Sequence, residues 1–394
     1  VPLIGGLPLG TERATGKPPE AIYSYDGFQG NDSQYVNYQV ETKGRPIPYI
    51  AIEEGVKPKK VNIVVATPPC AGLSQLNTGK TKEAKGADAD VNKWMYQSAI
   101  DGMDLFEADV IIGENAPALY TNKGKPVADR LLEIARERGY AMTLYKTTTS
   151  LHGIPQNRDR TFYIFWKGGK APIMNWSKKE RKNFKEYLRE IPKDASQNDL
   201  IINNRVGNNE SYFRFVSHKN PGKDARDVIN EAGRNTAFSY IQRNGMLQEC
   251  RDWFAETGDE YGVKLADHAI MKFAKGMGIW DSSTHVFSDA MNAVIGRNLA
   301  DTVHPEEDRS LSIREALHMM AFPHDFELQG GLAKMNMIAQ NVPVCTAASI
   351  VEDAIKFVNG ELEMTDTDFL KQNNHNQRID VGNVPSNTLE QFLA

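Results

Sequence analysis

Residues 61–66, Val-Asn-Ile-Val-Val-Ala, form an apolar, β-branched run that stops at Thr67-Pro68-Pro69-Cys70. A run of this kind predicts a buried central strand of a parallel sheet. Strands elsewhere alternate with helical stretches such as 128–136, the pattern of a doubly wound α/β domain. In such sheets ligands and catalytic groups gather outside the carboxyl ends of the strands. Two prolines fix the turn, so Cys70 is expected on a rigid loop at that edge. A lone cysteine is more often a buried structural residue, and this segment alone does not choose between the two.

Two further segments bear on the choice. Residues 109–116, Asp-Val-Ile-Ile-Gly-Glu-Asn-Ala, predict a short strand ending in Glu114 and Asn115. Residues 156–160, Gln-Asn-Arg-Asp-Arg, lead into a strand over 161–166. A thiol, an acid–amide pair and a doubled arginine thus lie at successive strand edges, where one sheet can bring them to one cleft. A carboxylic acid can donate to a ring nitrogen, an arginine to a carbonyl oxygen, and a thiolate can attack an electron-poor carbon. That set suits a pyrimidine base.

In this order and spacing, Pro-Pro-Cys, Glu-Asn-Ala and Gln-Asn-Arg-Asp-Arg resemble the Pro-Cys, Glu-Asn-Val and Gln-x-Arg-x-Arg patterns of the DNA cytosine-5 methyltransferase family. Arg309, Leu311, Arg314 and Glu315, followed by Phe322-Pro323, resemble its Arg-x-Leu-x-x-Arg-Glu…Phe-Pro segment. Residues 340–344, Gln-Asn-Val-Pro-Val, are similar to its Gly-Asn-x-Val segment. Each triplet alone is weak, but five in family order are specific. The resemblance implies an α/β chain: a doubly wound, Rossmann-like, S-adenosylmethionine-dependent methyltransferase domain with a second, smaller target-recognition domain. Residues 1–167 with 335–360 are expected to form the catalytic and cofactor-binding domain, 168–334 the DNA-binding recognition domain, and 361–394 a polar tail. Ala71 stands where the family carries Gln, Asn92-Lys93 where it carries Arg, and Gln340 where it carries Gly. These departures mark a divergent bacterial or phage member.

The resemblance also implies roles. Cys70 attacks C6 of cytosine, which makes C5 nucleophilic enough to take a methyl group, a form of covalent catalysis. Glu114 protonates or hydrogen-bonds N3 and needs a raised pKa, which burial supplies. Arg160 holds O2, Arg158 orients the Glu114 loop or the thiolate's surroundings, and both charges favour the thiolate. A water on the backbone of Asn115 or Pro68 is a candidate for removing the C5 proton. Pro69, Ser74 and Gln156 are expected against the substrate. Residues 71–94 are expected to close over a flipped nucleotide, although an ordinary solvated loop has the same composition.

S-adenosylmethionine, leaving as S-adenosylhomocysteine, is the implied cofactor. Gly5, Gly6 and Leu7 resemble the second half of the family's glycine-rich loop, which leads into a helix N-terminus. The family's preceding strand has no counterpart, and with Val1 in place of a methionine the sequence is expected to begin inside a longer chain. Asp26, ending a short strand over 21–26, is expected to bind ribose hydroxyls, with Glu12 in the first helix as the competing acid. Pro68, Met95 and Asn341 complete the expected pocket. A core-facing helix start explains Met95 nearly as well.

A net charge of −5 excludes a generally basic coat, so any DNA-binding surface must be local. Lys80, Lys82 and Lys85 and the cations scattered over 203–251 are its expected sources. Cys70, Cys250 and Cys345 give no disulfide framework and suit a reducing cytoplasm. No apolar run reaches membrane-spanning length. No Cys/His spacing suggests a metal, which leaves His152 and His304 structural or phosphate-adjacent. Expected partners are double-stranded DNA and a cognate restriction endonuclease acting separately, the chain itself being a monomer. Two other readings stay open. One is a tRNA cytosine-5 methyltransferase of the same fold, against which the long insert at 168–308 and Ala116-Pro117 speak. The other is a non-catalytic DNA-binding relative, which should have lost Cys70, Glu114 or an arginine.

Overall fold

The computed structural model describes residues 4–25, 33–74, 81, 83–168, 171–172, 174, 179–207, 209–279, 284–295 and 299–361, with the backbone of 376–380. Gly5, at a φ of 95° that only glycine adopts readily, opens α1 (Gly6–Thr15). β1 (Ile22–Ser24), α2 (Gln34–Glu41) and β2 (Tyr49–Ala51) follow, with β1 and β2 paired in parallel as a small separate sheet. Next come β3 (Ile63–Ala66), α3 (Lys93–Asp104), β4 (Val110–Asn115), α4 (Lys125–Glu137), β5 (Tyr140–Thr148), β6 (Gln156–Asn157) and β7 (Asp159–Lys167). Beyond β7 the described chain is mainly helical. Its helices are α5 (Phe184–Leu188), α6 (Glu210–Lys219), α7 (Ala225–Glu231), α8 (Ala237–Arg243), α9 (Leu247–Glu256), α10 (Glu260–Ala274), α11 (Ile313–His318), α12 (Asn336–Ala339) and α13 (Val344–Val358). β8 (Met291–Asn292) pairs with β6, and β9 (Asn376–Asp380) joins the main sheet.

That main sheet has the order β3-β4-β7-β5-β9. β3 and β4 are parallel, and β7 runs antiparallel to both β4 and β5. Alternation along the strands separates two apolar faces. Ile111, Met142, Leu144, Tyr163 and Phe165 pack beneath α3 and α4, whose buried residues recur at helical spacing: Met95, Ala99, Met103 and Val127, Leu131, Ile134. Val110, Ile112, Phe162, Ile164 and Trp166 pack beneath α1 and α13. The result is a sheet covered by helices on both faces, the doubly wound α/β architecture expected from the sequence. α1 and α13 lie unusually close. A Cβ on Gly6 would come within 1.9 Å of the Val342 carbonyl, and one on Gly10 within 2.4 Å of Ala347 Cβ.

Three features differ from the sequence expectation. β3 is an edge strand among the described residues, and all four of its residues are half buried, because only β4 hydrogen-bonds to it. The stretch read as a polar tail contains β9, which pairs with β5 through its backbone from Asn376 to Asp380. The span 168–334 does not pack as one body. Phe184, Leu188, Leu311, Leu317 and Phe322 share a cluster with Ile4, Leu9, Tyr35 and Tyr38 from the N-terminal helices. A separate cluster, built on Tyr212, Phe215, Phe238, Ile241 and Phe254, lies within 206–303. Side-chain caps at Asp224, Thr236 and Asp259 start α7, α8 and α10 there, each worth about 1 kcal/mol.

Candidate active site

The carboxyl ends of β3 and β4 and the start of β7 meet at one edge of the sheet. Cys70 follows β3 by four residues, is exposed, and closes a turn in which Leu73 N–H donates to its carbonyl at 3.2 Å. Glu114 is the penultimate residue of β4, opposite Phe162 of β7. Gly113 beside it must lack a side chain, since a Cβ would fall 1.9 Å from the Tyr163 ring. Arg160 reaches across from β7, placing Nε 2.7 Å from Glu114 Oε1. Burial pushes the Glu114 carboxyl above its ordinary range, and the charges of Arg160 and Arg158 act against that. Burial is dominant because a carboxylate without water loses more than one arginine returns.

The Cys70 thiol is also raised, first by desolvation of its surroundings and second by the Glu114 carboxylate, with Arg160 and Arg158 opposing. Both arginines act in favour of the thiolate, as expected, but the surrounding protein and the neighbouring acid outweigh them.

Arg158 departs from its expected role. It is buried, and its guanidinium donates to the carbonyls of Val294 (2.7 Å), Ala339 (2.6 Å) and Asn341 (2.9 Å). It joins the start of β7 to two distant segments and influences Cys70 and Glu114 by charge alone. Gln156, expected against the substrate, is likewise internal. It donates to Met319 O and accepts from Val294 N–H at 3.0 Å. Asn115 is buried, with Oδ1 accepting from Ala116 N–H at 2.9 Å. Arg314 and Glu315 of the downstream motif are structural too. Arg314 donates to the carbonyls of Ser196, Pro323 and Phe326, while Glu315 caps α11 through Ser312 and binds Arg309.

A cavity of about 550 Å³ opens beside this edge, flanked by Leu7 of α1, Pro68 and Pro69 of the cysteine loop, and Trp94 of α3. It runs along the open edge of β3, which explains why that strand is half buried. Tyr25 and Asp101 also line it, joined by a 2.6 Å hydrogen bond, and the Tyr25 ring lies 5.0 Å from that of Trp94. Gly5 and Gly6 stand at the adjoining N-terminus of α1, where Gly6 N–H donates to Asn341 Oδ1 at 3.2 Å. Asn341 Nδ2 is held by Met337 O, and neither Asn341 nor Gly5 nor Gly6 lines the cavity itself. Met95 is fully buried in the core beneath α3 and does not line the cavity. Its neighbours Trp94 and Ser98 do, which the sequence reading missed. Glu12 is bound by Gln39 and Arg45, a structural pairing. Ser74 lies in the turn after Cys70, its N–H donating to Ala71 O at 3.4 Å. Asp26, Lys80 and Lys82 lie outside the described residues, as does part of the 71–94 loop. His152 is buried against Thr147, and His304 faces Glu315. Among the described residues no cluster of His, Cys, Asp and Glu could hold a metal, and no helix is long and apolar enough to cross a membrane.

The fold and this edge define a nucleotide-type α/β enzyme with a cysteine, an acid and an arginine converging beside a cofactor-sized cavity. The sequence profile of the C-5 cytosine-specific DNA methylases matches residues 4–356, and the chain belongs to that family. It is 23% identical over 307 residues to the type II methyltransferase M1.HphI of Haemophilus parahaemolyticus, covering 77% of this chain and 70% of that protein. It is 22% identical over 349 residues to the type II methylase M.HgiDII of Herpetosiphon aurantiacus, covering 87% and 88%. A prophage-encoded E. coli protein, provisionally described as a DNA modification methyltransferase, has the same fold. It superposes with a TM-score of 0.53 at 16% identity, over 91% of this chain and 97% of that one. The activity of the class is methyl transfer to C5 of cytosine in DNA.

Proposed function

We propose that Cys70 is the nucleophile that adds to C6 of a cytosine rotated out of double-stranded DNA, within a specific sequence. The observation that carries this reading is the convergence of Cys70, Glu114 and Arg160 at one sheet edge, with Glu114 held at 2.7 Å from Arg160 in a buried setting. The Sγ–C6 bond forms as the Sγ proton passes to solvent water, to which Cys70 is exposed. Glu114, whose carboxyl burial pushes above its ordinary range, donates to N3 and draws the displaced electron pair toward the ring. Arg160, with Nε on Glu114 and Nη1 on the Asp159 carbonyl, has Nη2 left to hold O2. C5 then carries enamine character and takes the methyl group. Loss of the C5 proton returns the electron pair, and the Sγ–C6 bond breaks. The target base is inaccessible inside a duplex, so rotation into the pocket precedes these steps.

S-adenosylmethionine, when bound, supplies an electrophilic methyl group. The residues present fit it: a glycine turn at a helix N-terminus for its carboxylate end, and the Tyr25–Trp94 wall for an aromatic ring. We place Leu7 and Pro68 against it, and Asp26 at its ribose. The type II names of M1.HphI and M.HgiDII support a modification role, and we take the chain to act as a monomer beside a separate endonuclease. A duplex carrying 5-fluorocytosine tests the mechanism, because no C5 proton can leave. Intact-mass measurement is expected to show one covalent adduct in the native protein and none in Cys70→Ser, which should still bind duplex. An adduct that persists in Cys70→Ser would overturn the assignment.

A further inference from the structure

Four of the eight lysines and arginines over 203–251 are held by carboxylates. Arg214 binds Asp259 (2.6 Å), Lys219 binds Glu249 (2.6 Å), Arg251 binds Asp267 (3.0 Å), and Arg226 is clamped between Asp224 and Asp308. Charges paired in this way contribute little to an outward field, so these four add little to the expected positive surface. A further set of cations lies on the next helix. At 100° per residue, Tyr261, Lys264, His268, Met271 and Lys275 fall within an arc of about 80° along α10 and its last turn, and all five are exposed. Neither lysine side chain makes an ion pair or hydrogen bond to a described residue. The helix's carboxylates, Glu260 and Asp267, lie outside the arc, and Asp267 is held by Arg251.

The same face is apolar to an unusual degree. Tyr261 (55% exposed), Met271 (44%) and nearby Met277 (50%) are three of the five large hydrophobic side chains exposed among the described residues. A purely solvated face of a chain with 51 acidic against 46 basic residues would be expected to carry carboxylates and few such groups. Cations interleaved with an aromatic and a thioether, without acid, complement a polyanion with apolar groove walls. After α10 the chain runs through 276–290 to β8, which pairs with β6 immediately before Arg158. α10 is therefore the last helix of the unit before the chain returns to the catalytic edge.

We propose that the outer face of α10 docks on the backbone of duplex DNA, with Lys264 and Lys275 on phosphates and Tyr261 and Met271 against the groove wall. The two lysines stand roughly 16 Å apart along the axis, a span of several base steps. The proposal rests on the reading of this chain as acting on duplex DNA.

Equilibrium binding of the full chain to a short duplex of randomised sequence, over a series of salt concentrations, tests it. Each phosphate contact contributes close to one unit to the slope of log affinity against log salt. Lys264→Ala with Lys275→Ala is expected to reduce that slope by about 2 and to raise the KM for DNA, leaving kcat at saturating DNA unchanged. Charge reversal of both lysines to Glu should weaken binding further. Lys57→Ala with Lys167→Ala, at the sheet edge opposite the active site, should leave the slope intact. An unchanged slope in the α10 variant, or an equal fall in the control, overturns the proposal, as does a loss confined to self-association. Failure of the covalent trap with a normal α10 effect would count against the catalytic reading alone.

Discussion

Arg158 and Arg160 stand two residues apart and have opposite surroundings. Arg160 meets a carboxylate at the surface of the cleft, while Arg158 is sealed beneath it on three backbone carbonyls. Both charges nonetheless reach Cys70, where they oppose desolvation and Glu114. This makes the thiol a reporter of its neighbours. Glu114→Gln removes a negative charge and is expected to lower the thiol pKa. At a fixed pH below that pKa, alkylation of Cys70 by iodoacetamide should then be faster. Arg160→Ala should shift the pH–rate profile the other way. An unchanged profile in Glu114→Gln would mean that the carboxyl bears no charge beside the sulfur. The site's chemistry was legible at this scale because its residues end strands that announce themselves. The cofactor wall was harder to read. Trp94 and Met95 are neighbours in sequence but about 100° apart around a helix, and sequence alone does not say which points to the core.

Elements with strong patterns, such as β4, β7 and α4, lie close to where the sequence puts them. The misreadings concern pairing. Residues 61–66 are apolar enough for a central strand, yet burial depends on what lies on either side, and β3 has a described neighbour on only one. β9 has no alternating pattern, and its place follows from backbone hydrogen bonds offered by the edge of β5. α13 carries a further consequence. It is buried almost throughout, yet includes Asp353, whose Oδ2 has no hydrogen-bond partner. Burial raises that carboxyl to about 6, with Lys356 and Lys179 lowering it and Glu352 adding to the rise. In the unfolded chain it ionises near 3.8. Between pH 4 and 6 the folded state therefore holds a proton that the unfolded state releases, so this group's contribution to stability falls as pH rises through that window. The loss is at most about 3 kcal/mol. Asp353→Asn should remove it, so the difference in stability between variant and native protein, measured by denaturant unfolding, should grow from pH 4 to 6 and then level off. A flat difference would place the carboxyl in contact with water.

At the scale of the whole molecule, two cores divide the labour. The helices within 206–303 have their own aromatic cluster, while the segments flanking them pack onto α1 and α2. If the helical unit reads sequence, exchanging 206–303 for the corresponding segment of a relative should change the methylated site and leave the chemistry intact. Each well-placed bidentate base contact is worth about 1–3 kcal/mol of discrimination. Methylome sequencing of cells expressing the chimera checks this, and an unchanged site would move recognition to the flanking segments. The packing of α13 also sets a timetable. One face of the sheet, with Ile112, Phe162, Ile164 and Trp166, is covered by α1 and by a helix that starts only at Val344, whereas β7 is complete at Lys167. At ordinary translation speeds of about 5–20 residues per second, that leaves roughly ten to thirty-five seconds between the two. During this interval a nascent chain carries a formed but half-clothed sheet, and the yield of native protein depends on what shields that greasy face until the ribosome delivers its lid.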